Sequence, residues 1–268
     1  MNRRNFIRNL AVGGVVVWNG HTWARSFQPG STDVVFRFTV ASDGHYGQAN
    51  TPYEEYFDTI VRKINYYHSI FPSEFVVFNG DIIHDDPQFL APAQKSLSRV
   101  KLPLYVTKGN HDRVSPDVWE QTWGIGENHA FSIGERVILL GTTADETGKY
   151  LCPDLDWFEN QLTIHRDAPE VYIFMHITPH TWTRHGVDCP EFHQLLDQHS
   201  NVIAVFNGHD HDQDDIKTLN KVPFLFDGHF GGSWGTEYRG FRVVEKLSNG
   251  MLRTYLMNPD DQLQLTEL

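Results

Sequence analysis

Leu104-Tyr105-Val106-Thr107-Lys108-Gly109-Asn110-His111-Asp112 runs an apolar, strand-like segment straight into a glycine, an amide, an imidazole and a carboxylate. As a mere turn, Gly-Asn-His-Asp would be an odd and costly choice after an apolar strand. As chemistry, it sets a neutral carbonyl oxygen beside a proton donor. Asp112 is the expected partner of His111, holding one tautomer and raising its basicity. Four more blocks follow the same plan. Val40-Ala41-Ser42 leads into Asp43-Gly44-His45, Phe78-Asn79 into Gly80-Asp81, Phe174-Met175 into His176, and Phe206-Asn207 into Gly208-His209-Asp210-His211. Ligands bind outside the carboxyl ends of strands in open α/β sheets, so five such exits predict one site.

The blocks offer carboxylate, amide oxygen and imidazole, and no sulfur, a donor set that accepts Fe, Mn, Zn or Co. Asp43 and His45 are two residues apart, as are His209 and His211, so each pair can face one ion. Gly80 lets the backbone come close, and the two oxygens of Asp81 suit a bridge between ions. Alone, Asp-Gly-His and Gly-Asp are turns and His176 is a core histidine. Together they supply ligands for two divalent or trivalent ions about 3.5–4 Å apart, the spacing of two-metal phosphoryl-transfer sites.

Around the blocks, strand-like runs fall at Val34–Val40, Glu74–Phe78, Leu104–Thr107, Val137–Leu140, Val171–Met175, Val202–Phe206, Pro223–Phe226, Phe241–Glu245 and Leu252–Leu256. They are rich in Val, Ile and Phe and bounded by Gly, Asp or Asn. Tyr56, Phe57, Ile60, Ile64 and Tyr67 form a helical stripe within Tyr53–Ser69. Pro87–Val100, Ser115–Thr122, Asp154–His165 and Pro190–His199 are further helices, several opening on Pro, Asp or Ser. Alternation in the first half predicts α/β layering, and the helix-poor last third a more antiparallel sheet.

The first 24 residues read as a signal peptide: Arg3-Arg4, Phe6 and Arg8, then a short apolar run from Leu10 to Trp18 and a small-residue exit at Ala24. The paired arginines resemble a twin-arginine signal, predicting export to the periplasm or outside. The run is too short to span a bilayer, and no membrane span is expected in the mature chain. Residues 25–32 read as a linker and 33–268 as one domain, a size that suits 268 residues with 40% hydrophobic content. Cleavage after Ala24 removes three arginines and no acid, taking the formal charge from −12 to −15. Such a surface argues against nucleic-acid or anionic-membrane binding. Cys152 and Cys189 are the two cysteines; an oxidising compartment allows them to pair, and neither sits in a Cys-x-x-Cys metal pattern. Nothing in the sequence signals an oligomeric state.

From Asp43 to His211 the chain resembles the calcineurin-like metallophosphoesterase family, with all five motifs in order. The resemblance implies two packed mixed β-sheets flanked by helices, a four-layer sandwich with a dinuclear site on strand-end loops. It implies Asp43, His45, Asp81 and His211 on one ion, and Asp81, Asn110, His176 and His209 on the other. A metal-bridging hydroxide would attack, and His111 would protonate the leaving group without binding metal. His84 stands three residues beyond Asp81, where purple acid phosphatases of the family carry a metal-binding tyrosine. With His45 filling that coordination position, His84 is a substrate-side or surface candidate.

Thr178-Pro179-His180-Thr181-Trp182 is expected to line the pocket, and Gly231-Gly232-Ser233-Trp234-Gly235 to form an aromatic flap. Trp182 and Trp234 are candidates for stacking on a base or aryl group, or for core packing; His180, His185 and His229 are further candidates for substrate contact. The Asp-x-His first block resembles the phosphodiesterase branch of the family, acting on cyclic nucleotides or glycerophosphodiesters. A phosphomonoesterase, with Arg113 or Arg184 clamping a terminal phosphate, is the alternative. A non-catalytic metal-binding scaffold is a further one.

Overall fold

Alternation along Val34-Val35-Phe36-Arg37-Phe38-Thr39-Val40-Ala41 buries Phe36, Phe38 and Val40 on one face of a strand. That strand is the seam of the architecture. In the computed structural model, residues 33–258 and 261–268 are described, together with two N-terminal strands, β1 (Val15–Trp18) and β2 (His21–Ala24), paired antiparallel. The remainder of the expected signal segment and linker lies outside the described residues. One sheet contains β3 (Val34–Ala41), β4 (Val76–Asn79), β5 (Leu104–Thr107), β12 (Phe241–Leu247), β13 (Leu252–Asn258) and β14 (Asp261–Glu267), in the order β14-β13-β12-β3-β4-β5. The other contains β6 (His129–Ile133), β7 (Arg136–Gly141), β8 (Glu170–Met175), β9 (Val202–Asn207), β10 (Ile216–Leu219) and β11 (Val222–Phe226), in the order β10-β11-β9-β8-β7-β6. Both are mixed. β3, β4 and β5 run parallel, as do β7, β8, β9 and β11, while the expected antiparallel set is β12 to β14.

The sheets meet through aromatic rings. Phe38 stacks on Phe75 at 4.9 Å and meets Tyr172, Phe174 and Phe206 edge-on between 5.4 and 5.8 Å, geometries that add to the burial of area. Three helices cover the outer face of the first sheet: α1 (Tyr53–Ile70), α2 (Leu90–Leu97) and α3 (Pro116–Trp123). α1 buries Phe57, Ile60, Val61, Ile64 and Tyr67, leaving Tyr56 off the stripe to stack under Arg239. α4 (Leu155–Ile164) and α5 (Pro190–Asp197) cover the second sheet. Ser115 and Asp154 cap α3 and α4 by accepting from the N–H groups of Val118 and Trp157. The four-layer sandwich expected from the sequence is therefore present. Among the described residues no helix is long and apolar enough to cross a membrane.

Within the two six-stranded sheets, three strands carry no sequence signal: β6, β10 and β14. Each is a sheet edge, so one flank faces solvent and the apolar run that marks a central strand is not required. Cys152 and Cys189 form a disulfide that ties the loop after β7 to the start of α5.

Candidate dinuclear metal centre

The carboxyl ends of β3, β4, β5, β8 and β9 deliver the five blocks to one place. The exits of β3 and β4 stay paired beyond their strands. Asp43 N–H donates to Gly80 O (3.1 Å), His45 N–H to Asp81 O and Tyr46 N–H to Ile82 O (both 2.9 Å). The chain continues in left-handed conformation, with φ of 59° at Asp43, 48° at His45, 50° at Asp81 and 68° at His209. Asp and His tolerate this region better than most residues, yet each such position costs on the order of 1 kcal/mol. Strain at four candidate ligands marks a place where side-chain direction is held against local preference. A left-handed turn, rather than an extended segment, turns Asp43 and His45 to the same side. Glycine is needed where loops touch: a Cβ on Gly80 would lie 2.3 Å from His176 Nδ1, and one on Gly109 2.2 Å from Asp81 Oδ1.

Two triads result, Asp43–His45–His211 and Asp81–His176–His209, each with ligand atoms within 4.8 Å of one another and every residue buried. Asp43 Oδ1 lies 3.1 Å from His211 Nε2, 3.8 Å from His45 Nε2 and 3.7 Å from His176 Nε2. Asp81 Oδ2 stands between the triads, 3.1 Å from His176 Nε2 and 3.7 Å from His45 Nε2. The remaining carboxylate oxygens are held: Asp43 Oδ2 accepts from Ser42 Oγ (2.5 Å) and His209 N–H (2.9 Å), and Asp81 Oδ1 from His111 N–H (2.8 Å).

The donors fit metal ions by three observations. Asp43 Oδ1, Asn110 Oδ1, His176 Nε2 and His209 Nε2 are buried without a hydrogen-bond partner, where each would cost about 1–3 kcal/mol if nothing else satisfied it. His176 Nδ1–H donates to Asn79 O (2.7 Å) and His211 Nδ1–H to Trp234 O (3.0 Å), so both turn Nε2 inward, where it becomes a ligand once free of its proton. His45 Nε2 and His211 Nε2 approach to 2.9 Å, and lone pairs that close require a cation or a proton. The charge balance agrees. Burial lowers the basicity of the His176 imidazole, but Asp81 and Asp43 outweigh it and raise its pKa to about 10. Burial pushes the Asp43 carboxyl up, yet His211 and His176 hold it well below the usual carboxylate range. His209, buried and beside His176, is pushed down to about 3. The pit wants positive charge at Asp43 and Asp81 and a neutral imidazole at His209.

His111 stands at the edge, its side chain 28% exposed. Asp112 does not orient it, which corrects the sequence expectation. Asp112 is buried and spends both oxygens on backbone, accepting from Ile83 N–H and Gly109 N–H at 2.9 Å each. The partner of His111 Nδ1 is Asp85, at 2.8 Å, and Asp85 is also 3.1 Å from Arg113 Nε. Asp85 lies in a polar run that reads as surface; a left-handed φ of 65° turns it in. His84 joins the site between two others: its Nδ1 is 3.0 Å from His45 Nδ1, and its ring stacks on His111 at 4.7 Å and 12°.

His180 and Trp182 are not brought to the cluster. They stack on each other at 4.3 Å, and Trp182 packs on Phe224 in the core under α5. Apolar neighbours on β11 claim the tryptophan, so of its two expected roles core packing is the one seen. Trp234 instead lies flat on His211 at 4.4 Å and 4°. Tyr150, not singled out in the sequence, meets His209 edge-on at 4.9 Å, and His185 lies 5.6 Å from His209. His229 stacks on the inner face of His211 at 5.1 Å and is buried.

A family model described as calcineurin-like phosphoesterase matches residues 36–213. No curated protein matches the chain in sequence. Among solved structures, a dimetal phosphatase from Danio rerio superposes with a TM-score of 0.70 at 14% identity, over 87% of this chain and 99% of that one. A purple acid phosphatase from yellow lupin seeds gives 0.64 at 14% identity, over 91% of this chain and 55% of that one. GAP50, the anchor in the inner membrane complex of Plasmodium, gives 0.64 at 13%, over 87% and 88%. At these identities the structures speak for the fold alone. The model match spans most of the chain and every metal-ligand block, from β3 through His211, and on that ground the chain belongs to the calcineurin-like phosphoesterase family.

Proposed function

We propose that this protein hydrolyses phosphodiesters at a pair of metal ions, one held by Asp43, His45, Asp81 and His211 and the other by Asp81, Asn110, His176 and His209. The observation that carries this is that Asp43 Oδ1, His176 Nε2 and His209 Nε2, buried and unpartnered, belong to two ligand triads that meet at Asp81 Oδ2, with Asn110 Oδ1 likewise buried and unpartnered. Ions bound there supply Lewis acidity toward the phosphoryl oxygens and toward an attacking water. The chain supplies the rest. Asp81 Oδ1 pins the His111 backbone beside the ligands. Asp85 holds the His111 Nδ1 proton, leaving Nε2 to deliver a proton to the departing alkoxide, a contribution of about 10²–10⁴ in rate. No side-chain nucleophile is required.

Two observations favour diesters over monoesters. A terminal phosphate dianion asks for a free guanidinium, and both candidates carry partners: Arg113 sits on Asp85 and Arg184 donates to His185 Nε2 at 2.9 Å. A non-catalytic scaffold would be free to lose ligands or the acid histidine, whereas this chain retains every candidate ligand and His111. Export fits the disulfide, since such bonds persist in oxidising compartments. The test is kcat/KM on bis-p-nitrophenyl phosphate and p-nitrophenyl phosphate after reconstitution with Mn, Zn or Fe. Preference for the diester is expected. Preference for the monoester would transfer the assignment to a phosphatase, and metal uptake with turnover of neither would point to a scaffold.

A further inference from the structure

One imidazole of each triad is covered by an aromatic ring that is itself partly exposed. On the first triad the ring is Trp234, 42% exposed, the outer member of a parallel stack Trp234–His211–His229. On the second it is Tyr150, 37% exposed and edge-on to His209. His185 closes the gap, 5.6 Å from His209 and 6.0 Å from Trp234. These rings are held in place. The Trp234 carbonyl accepts from His211 Nδ1, and Gln48 Nε2 donates to Ser233 Oγ at 3.1 Å. Tyr150 sits on a turn braced by Asp145, which accepts from Thr147 and Lys149, and the Cys152–Cys189 disulfide follows two residues later.

Resting on the phosphodiesterase reading, we infer that Trp234, Tyr150 and His185 form an aromatic rim that selects diesters whose retained alcohol, the one that does not leave, carries a flat aromatic group such as a nucleobase. A ring on the ester that lies against the exposed indole of Trp234 would extend an existing stack by one member. Stacking is tolerant of base identity because every base offers a π-face. A quaternary ammonium group also suits Trp and Tyr faces, but here the Arg184 guanidinium on His185 places a cation at the same rim and opposes it. Trp182, with His180 on one face and Phe224 beside it, offers no comparable surface.

The test compares two diesters with the same leaving group, thymidine 5′-(p-nitrophenyl phosphate) and methyl p-nitrophenyl phosphate. The metal-loaded wild type is expected to favour the thymidine ester in kcat/KM, and Trp234→Ala to lower that preference ratio about tenfold, with Trp234→Phe restoring most of it. Calorimetric titration with thymidine 5′-monophosphate against inorganic phosphate gives a readout free of turnover: the nucleotide should bind tighter, and Trp234→Ala should erase the difference. Metal content of each variant, by mass spectrometry, should match the wild type, because alanine keeps the carbonyl that holds His211. No preference in the wild type, or a ratio unchanged by Trp234→Ala, overturns the rim. Selective nucleotide binding without turnover of either diester would leave the rim standing and remove the phosphodiesterase reading, and glycerophosphocholine outcompeting both would assign the rim to cations instead.

Discussion

Replacing Asp85 by asparagine separates the two carboxylates that compete for the role of orienting His111. Asp85 Oδ1 is 2.8 Å from His111 Nδ1 and 3.1 Å from Arg113 Nε, and its side chain is 40% exposed. Unit charges about 4 Å apart interact by about 4 kcal/mol at an effective dielectric of about 20 and by about 1 kcal/mol in water. Partial exposure places this pair toward the lower figure, about 1–2 kcal/mol. Asparagine keeps an acceptor and loses only the charge, so kcat should fall about 5- to 30-fold, against 10²–10⁴ for His111→Ala. In the His111→Ala background the Asp85→Asn change should cost almost nothing further, because the carboxylate acts through the imidazole. Asp112→Asn should behave differently. Both of its oxygens accept backbone N–H groups, and an amide turns an NH₂ toward one of those donors. That should cost about 1–3 kcal/mol of stability, seen as a lower Tm, with kcat of the folded fraction retained. Steady-state kinetics on bis-p-nitrophenyl phosphate and thermal melts of the loaded variants decide it. Asp85→Asn with wild-type kcat, or Asp112→Asn slowed at unchanged Tm, would refute the assignment and return the role to Asp112.

Further outcomes follow from the same geometry. Asp81→Asn and His209→Ala should abolish turnover together with loss of bound metal, measured by elemental mass spectrometry, whereas His111→Ala should keep its metal. Metal binding should release protons: His176, raised to about 10, carries one at pH 7 and must give it up to become a ligand, so apparent affinity should climb with pH through that range. Calorimetry in buffers of differing ionisation enthalpy would register the release, and a pH-independent affinity would contradict it. His45 turns Nε2 to the triad and Nδ1 to His84, so His84→Phe, which keeps the ring and removes the acceptor, should weaken metal binding about 10- to 100-fold. His84→Asn should weaken it less, as chelator competition would show.

The sequence made legible whatever depends on local chain chemistry. The five exits combine an apolar strand with a polar, glycine-containing turn, and both halves of that signal lie within a few residues of each other. Central strands could be read for the same reason. Three of the four edge strands could not, because β6, β10 and β14 pair on one side only and tolerate residues such as His129, Lys217 and Gln262, whereas β5, the fourth edge, is marked by the polar block it leads into. The orienting partner of His111 was illegible because it depends on backbone conformation. Asp112 is adjacent in sequence and was the natural choice, yet the Gly109–Asp112 loop folds its carboxylate back onto its own backbone. Asp85 reaches His111 only because two loops pair, with Asp85 N–H donating to His111 O at 3.0 Å.

The same contrast explains why Trp182 and Trp234, equivalent as letters beside glycine or histidine, part company in the structure. Trp182 follows β8, and β11, one strand beyond β9 in the same sheet, presents Phe224 and Phe226, so the indole is drawn into that apolar surface. Trp234 lies in a loop whose backbone is already committed, Gly231 N–H to Asp43 O at 3.0 Å and the Trp234 carbonyl to His211. With its main chain fixed against the metal loops, the indole has one imidazole face to cover and leaves the other side open. Backbone contacts therefore set both the inner ligands and the outer rim of this site. The strained turns at Asp43, His45, Asp81 and His209 aim the ligands inward, and the loop clamped against them turns an aromatic surface outward, where a substrate must pass.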